Sequence, residues 1–199
     1  VVAQGGGIYS TGSLVAIEDS RVGENLAWGP YARGGGLRLC GEFGEAWVGE
    51  TLIDQNAVGD WEVHGKAWQA WGGGIASHVP LTVYDSEIRD NYSTFAGGGV
   101  HGQGDYDEVV FVGNRAHKGG GLHVEIEGIE EFEDCFFGLL NVTNSVIKEN
   151  VALAGELPGE GGGLAGPVYV EDSLIHDNVA YGNGGGSSGG RLLDWQVFT

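Results

Sequence analysis

The sequence predicts an all-β chain, a right-handed, three-sided parallel β-helix of about seven coils forming a single domain over residues 1–199. Three observations predict it: a recurring Gly triplet, a recurring Asn motif, and a period-two alternation whose phase slips once within each repeat. Gly-Gly-Gly stands at 5–7, 34–36, 72–74, 97–99, 119–121, 161–163 and 184–186, so coils start at Gly5, Gly34, Gly72, Gly97, Gly119, Gly161 and Gly184. An aliphatic residue follows the first six: Ile8, Leu37, Ile75, Val100, Leu122 and Leu164. The motif closing those coils ends in Asn25, Asn56, Asn91, Asn114, Asn150 and Asn178.

Each part of the repeat has a physical reading. Eight residues before each Asn stand Ile17, Val48, Val83, Tyr106, Val142 and Val170, and another apolar or small residue lies two further back. That spacing describes a strand with one buried face. Three before the Asn stand Val22, Ile53, Ile88, Phe111, Ile147 and Ile175, and five before it Ser20, Thr51, Ser86, Val109, Ser145 and Ser173. The second pair of columns is shifted by one residue from the first, which makes a corner between two strands. The Asn suits a tight inward bend because Asn tolerates left-handed backbone. Stacked on its copies ~4.8 Å away, each amide can donate to the next. The Gly triplets supply positive φ and close backbone approach at another corner. The shortest spacings between triplets, 22, 23 and 25 residues, are one turn of a three-sided coil, and those of 29, 38 and 42 are the same coil carrying loops, with insertions near 60–71 in the second and 125–138 in the third.

Composition narrows the function. The chain has 28 Asp and Glu against 9 Lys and Arg, a net charge of -19, and 40 Gly but only 4 Pro. Collagen is excluded by the missing three-residue period. Nucleic acid is excluded as a partner because phosphate contacts need a basic patch. No apolar run reaches membrane-spanning length.

The pairing of Gly-Gly-Gly-Val at 97–100 with Phe-Val-Gly-Asn at 111–114 resembles the repeats of polymorphic outer-membrane proteins, and the likeness extends over roughly residues 5–186. The resemblance implies a right-handed β-helix passenger, a location outside the cell or on its surface, and an adhesin-like role. The chain has no translocator barrel, and mostly Ile or Val stands where that family has Phe.

The outward columns hold the candidate sites. Six before the Asn stand Asp19, Glu50, Asp85, Glu108, Asn144 and Asp172. Of these, Asp19, Asp85, Glu108 and Asp172 are the candidate ligands, and Ca²⁺ is the cation that such hard oxygen ligands would take. A solvated acidic surface is the simpler alternative. Trp28, Tyr31, Trp61, Trp68 and Trp71 follow the Asn corner on neighbouring coils and form a candidate aromatic surface for glycans or a receptor. His101 and His123 are expected to stack outward in solvent. Asn141-Val142-Thr143 is a glycosylation sequon in an outward column, and Cys40 and Cys135 lie in insertions three coils apart.

No catalytic residues are assigned: the outward basic residues Arg21, Arg89 and Lys148 alternate with acids as ordinary ion pairs do. The expectation is therefore a non-catalytic extracellular protein needing no cofactor, its partner a second copy of itself. Head-to-tail stacking into a filament would bury Val1, Val2, Trp195, Val197 and Phe198, with an adhesin-like scaffold as the companion reading. The alternative is a carbohydrate-binding or polysaccharide-cleaving module using the Trp-rich face.

Overall fold

The computed structural model describes residues 3–12, 14–29, 31–41, 44–59, 70–124, 140–155, 158–189, 191–192 and 196–198. Among these there is no helix, and every strand pairing is parallel. The first sheet stacks Ile8–Ser10, Leu37–Leu39, Ile75–Ser77, Val100–His101, Leu122–His123, Leu164–Ala165 and Ser187–Ser188. The second stacks Leu14–Glu18, Glu45–Gly49, Leu81–Tyr84, Gly104–Asp107, Leu140–Thr143, Val168–Glu171 and Arg191–Leu192. The third stacks Arg21–Gly23, Leu52–Asp54, Glu87–Arg89, Val110–Val112, Val146–Lys148, Leu174–His176 and Gln196–Phe198. A fourth stacks Leu26–Trp28, Ala57–Gly59, Tyr92–Ser93, Arg115–Ala116, Val151–Ala152 and Val179–Ala180. Spatial order follows chain order in all four, so each coil lies on the one before it. This is a parallel β-helix.

Each of the first six coils thus carries these four strand segments where the sequence pattern resolves three faces. The fourth segment, two or three residues long, follows the Asn directly and is too short to display an alternation of its own.

The inward columns are the predicted ones. Leu37, Ile75, Val100, Leu122 and Leu164 are fully buried, as are Val48, Val83, Val142 and Val170, and Ile53, Ile88, Phe111, Ile147 and Ile175. The fourth coil repacks this core with different shapes. Gly104 stands beside Leu81 and Leu140, which makes room for Tyr106 among valines. Tyr106 then meets Phe111 edge-on at 5.5 Å and 68°, a geometry that aromatic quadrupoles favour.

The Gly triplets act as expected. The first glycine of each has φ between 57° and 69°, a left-handed conformation that costs a side chain dearly. A Cβ on the second glycine would collide with the carbonyl of its copy one coil on, as Gly98 would with Gly120.

The bend before the fourth sheet departs from the expectation. None of the ladder asparagines has positive φ; the residue before each one does, namely Glu24, Gln55, Asp90, Gly113, Glu149 and Asp177, at φ 53° to 67°. The bend between the second and third sheets is built the same way, from Asp19, Glu50, Asp85, Glu108, Asn144 and Asp172 at φ 46° to 54°. In both, a left-handed residue turns the chain and the next side chain points inward. Asn sits at the inward position because its amide is used there, not for its backbone tolerance.

Candidate functional site

The asparagines form a continuous ladder. Asn25 Nδ2 donates to Asn56 Oδ1 at 2.9 Å, Asn56 to Asn91 at 3.0 Å, and Asn91 to Asn114 at 3.0 Å. Asn114 donates to Asn150 at 3.0 Å and Asn150 to Asn178 at 2.9 Å. Each Oδ1 also accepts the backbone N–H of the preceding Asn, at 3.0–3.1 Å. The second Nδ2 proton goes to a carbonyl one coil back, as from Asn91 to Ile53 at 2.9 Å. Two donors and an acceptor are satisfied without water, as a buried amide requires.

The candidate cation ligands lie at the other bend. Asp19, Asp85, Glu108 and Asp172 stand on four different coils, and all have the left-handed conformation. Their spacing along the stack therefore follows from the bend they build. Asp85 and Glu108 are the interacting pair: a hydrogen bond that the protonated Glu108 carboxyl donates to Asp85, and then the Asp85 charge, push Glu108 above its ordinary range. Nearby, Asp107 accepts from Thr143 Oγ1 at 2.7 Å and from Asn144 Nδ2 at 2.8 Å, and these bonds hold its carboxyl below the usual range. Among the described residues, no group of three or more acidic, His or Cys side chains converges as a metal site would require.

The aromatic surface divides. Trp28 and Tyr31 are exposed, Trp61 and Trp68 lie outside the described residues, and Trp71 is buried at 4% exposure. Trp71 belongs to a layer packed on the outer side of the first sheet. The Arg33 guanidinium lies 4.5 Å over its ring, His101 stacks beneath it at 5.7 Å, and His123 stacks on His101 at 5.1 Å and 14°. Phe95 meets Trp71 edge-on at 6.3 Å, and Lys118 covers Phe95 at 5.7 Å.

The two histidines are therefore not solvated. They share a column with Arg38, on the side of the strand away from the core, yet they are 3% and 5% exposed. Burial, then the charge of Lys118, lowers His123 to about 3. Burial lowers His101 well below its ordinary value, reinforced by His123, His78, Arg38 and Arg33. Burial, then Arg38 and Arg33, lowers His78 to about 3. Sequence reasoning missed this layer, although aligning the coils on their Gly triplets exposes it. Arg33 and Trp71 both precede a triplet, and Arg38, His101 and His123 all stand two residues after one.

The basic residues of the third sheet, read from their alternation with acids as ordinary ion pairs, are placed by the strand register. Arg21 pairs in register with Leu52 and Glu87, whereas Arg89 is in register with Asp54 and Val112. They share a face but not a column. Buried Asp54 links them: Arg21 grips it with Nε at 2.9 Å and Nη2 at 3.0 Å, and Arg89 approaches to 3.8 Å.

Asn141 is outward and half-buried, donating to Asp105 at 2.6 Å. Cys40 is half-buried with its thiol free, while Cys135 lies outside the described residues. Of the end-to-end residues, Val1, Val2 and Trp195 lie outside the described residues; the backbone of Val197 and Phe198 pairs with Ile175 and His176. At the first coil, Ile8 is 40% exposed although its column-mates in coils two to six are fully buried. Leu14, Leu26 and Tyr9 are exposed beside it.

The chain matches no protein-family model, no curated protein and no solved structure. The likeness to polymorphic outer-membrane protein repeats therefore stands on the motifs alone.

Proposed function

We propose that this chain is a non-catalytic structural protein of the cell exterior, stacking head to tail into a filament or carrying an adhesin-like surface. The observation behind this reading is the translational stack itself, in which each coil pairs its strands with the next and covers its apolar column. Ile8, on the first rung, is 40% exposed where Leu37, Ile75, Val100, Leu122 and Leu164 are fully buried. A coil laid on that end would cover Ile8 and pair the free edges of the first four strands. It would also offer N–H donors to Asn25 Oδ1, since each ladder carbonyl accepts from the coil before it. The net charge of -19 disfavours side-by-side association and leaves the ends as the favourable contact. Placement outside the cell rests on the resemblance of the repeats.

Negative-stain microscopy and sedimentation of the purified chain test this, with Ca²⁺ and with chelator. Rods that lengthen with concentration are expected, and Ile8→Lys should leave single subunits. Loss of rods in chelator would assign a cation role to the acidic bend. Uniform monomers at every concentration would overturn the assembly. Exposed Trp28 and Tyr31 favour glycan binding as the second reading, for which Trp28→Ala should abolish retention on a glycan array.

A further inference from the structure

The layer outside the first sheet contains two imidazoles placed so that they can share only one proton between them. His101 Nδ1 and His123 Nδ1 lie 2.9 Å apart, with the rings stacked at 5.1 Å and 14°. At that distance one Nδ1 carries a hydrogen and donates, and the other is bare and accepts. If the accepting ring gains a proton, two N–H groups point at each other and neither has an acceptor. The rings must then separate. Trp71 rests on His101, and Arg33 rests on Trp71, so the separation passes through the layer.

The surroundings oppose that second positive charge. Among the described residues, the charged and titratable groups around the pair are Arg33 on the first coil, Arg38 on the second, His78 on the third and Lys118 on the fourth, with Tyr9 beyond Arg38. Both rings are almost wholly buried. A cation there loses its hydration and gains like-charged neighbours.

We propose that the His101–His123 pair is an acid-sensitive latch, which keeps Trp71 packed against the first sheet while the pair shares one proton and releases it when both rings are protonated. The core on the inner side of the same strands contains no such group, so the release is local to the outer layer. The sign follows from linkage. The closed state binds fewer protons than the open one at every pH between the ordinary histidine value and the lowered one. Closure is therefore fully favoured above about pH 6.5 and is lost as pH falls, with the opening equilibrium rising about tenfold per pH unit for each proton taken up.

Hydrogen exchange followed by mass spectrometry on the full chain, corrected for the intrinsic pH dependence, tests this. Between pH 6.5 and pH 4.5, peptides spanning 70–77 and 99–102 should open about 100-fold or more, while a peptide from the third sheet, spanning 87–93, stays protected. The double variant His101→Phe, His123→Phe keeps the stacking and cannot titrate, so its profile should be flat. Should that variant fail to fold, the double variant His101→Asn, His123→Asn serves instead: its two amides can pair as donor and acceptor and cannot titrate, so it too should be flat. Equal acid opening in wild type and variant, a flat wild-type profile, or opening of 87–93 in step with 70–77 would each overturn the latch.

Discussion

The two bends flanking the third sheet share one design and differ in how strictly the sequence must keep to it. Each places a left-handed residue first and an inward polar side chain second. At the Asn bend the inward residue is Asn in all six coils. At the other it is Ser20, Thr51, Ser86, Val109, Ser145 and Ser173, and the run is broken by Val109. The hydroxyl bends do make axial bonds: Thr51 N–H donates to Ser86 Oγ at 3.1 Å, Val109 N–H to Ser145 Oγ at 3.0 Å, and Ser145 N–H to Ser173 Oγ at 2.9 Å. The hydroxyl proton, however, turns back into its own coil, as from Ser145 to the Thr143 carbonyl at 2.6 Å.

A hydroxyl has one hydrogen, and here it is used locally, so each Ser meets only the backbone of its neighbour. An amide has two, so each Asn donates to the next side chain and to a carbonyl behind it. Losing one Ser affects one junction. Losing one Asn leaves buried groups unpaired on both sides, and that is why one column admits Val and the other admits no substitute.

Three variants can break or sharpen this contrast. The largest effect is expected from Asn91→Leu, which deprives the Asn56 N–H and Nδ2 of their acceptor and the Ile53 carbonyl of its donor. With buried unpaired groups costing roughly 1–3 kcal/mol each, the loss should be about 4 kcal/mol, measured by urea unfolding. Ser145→Ala removes the acceptor of Val109 N–H and the donor to Thr143, and a loss of about 1–2 kcal/mol should appear in the same titration. The smallest effect is a gain. Among the described residues, the Ser86 N–H faces Val109 where the Thr51, Val109 and Ser145 N–H groups meet a hydroxyl, so Val109→Thr should supply one at nearly constant volume. A stabilisation of up to about 1 kcal/mol is expected, visible as a raised melting temperature. If Asn91→Leu cost no more than Ser145→Ala, the distinction between the two bends would fail.

The same contrast shows what was legible in the sequence. A β-helix repeats by translation, so residues with a structural duty at one coil recur in columns, and the core columns with Ile88 or Leu122 could be read at once. The Asn ladder was legible for the same reason, although the left-handed backbone was assigned to the Asn itself and belongs to the residue before it. That shift explains the acidic columns, since Asp19 and Asp85 stand where a bend demands left-handed backbone, which Asp tolerates better than most residues. The outer layer was hidden because outward positions in a strand look like solvent positions. Nothing in the alternation around His101 or His123 signals that Trp71 and Arg33 cover that side. The fourth strand was hidden by its length, since Tyr92–Ser93 and Arg115–Ala116 are too short to alternate.

The most direct test of the stacked-coil account is hydrogen exchange of the asparagine side-chain amides by nuclear magnetic resonance. The account predicts that the Nδ2 protons of Asn56, Asn91, Asn114 and Asn150 exchange far more slowly than those of outward Asn141 and Asn144. Exchange of all six amides at one fast rate would contradict the ladder, and with it the axial stacking of the coils.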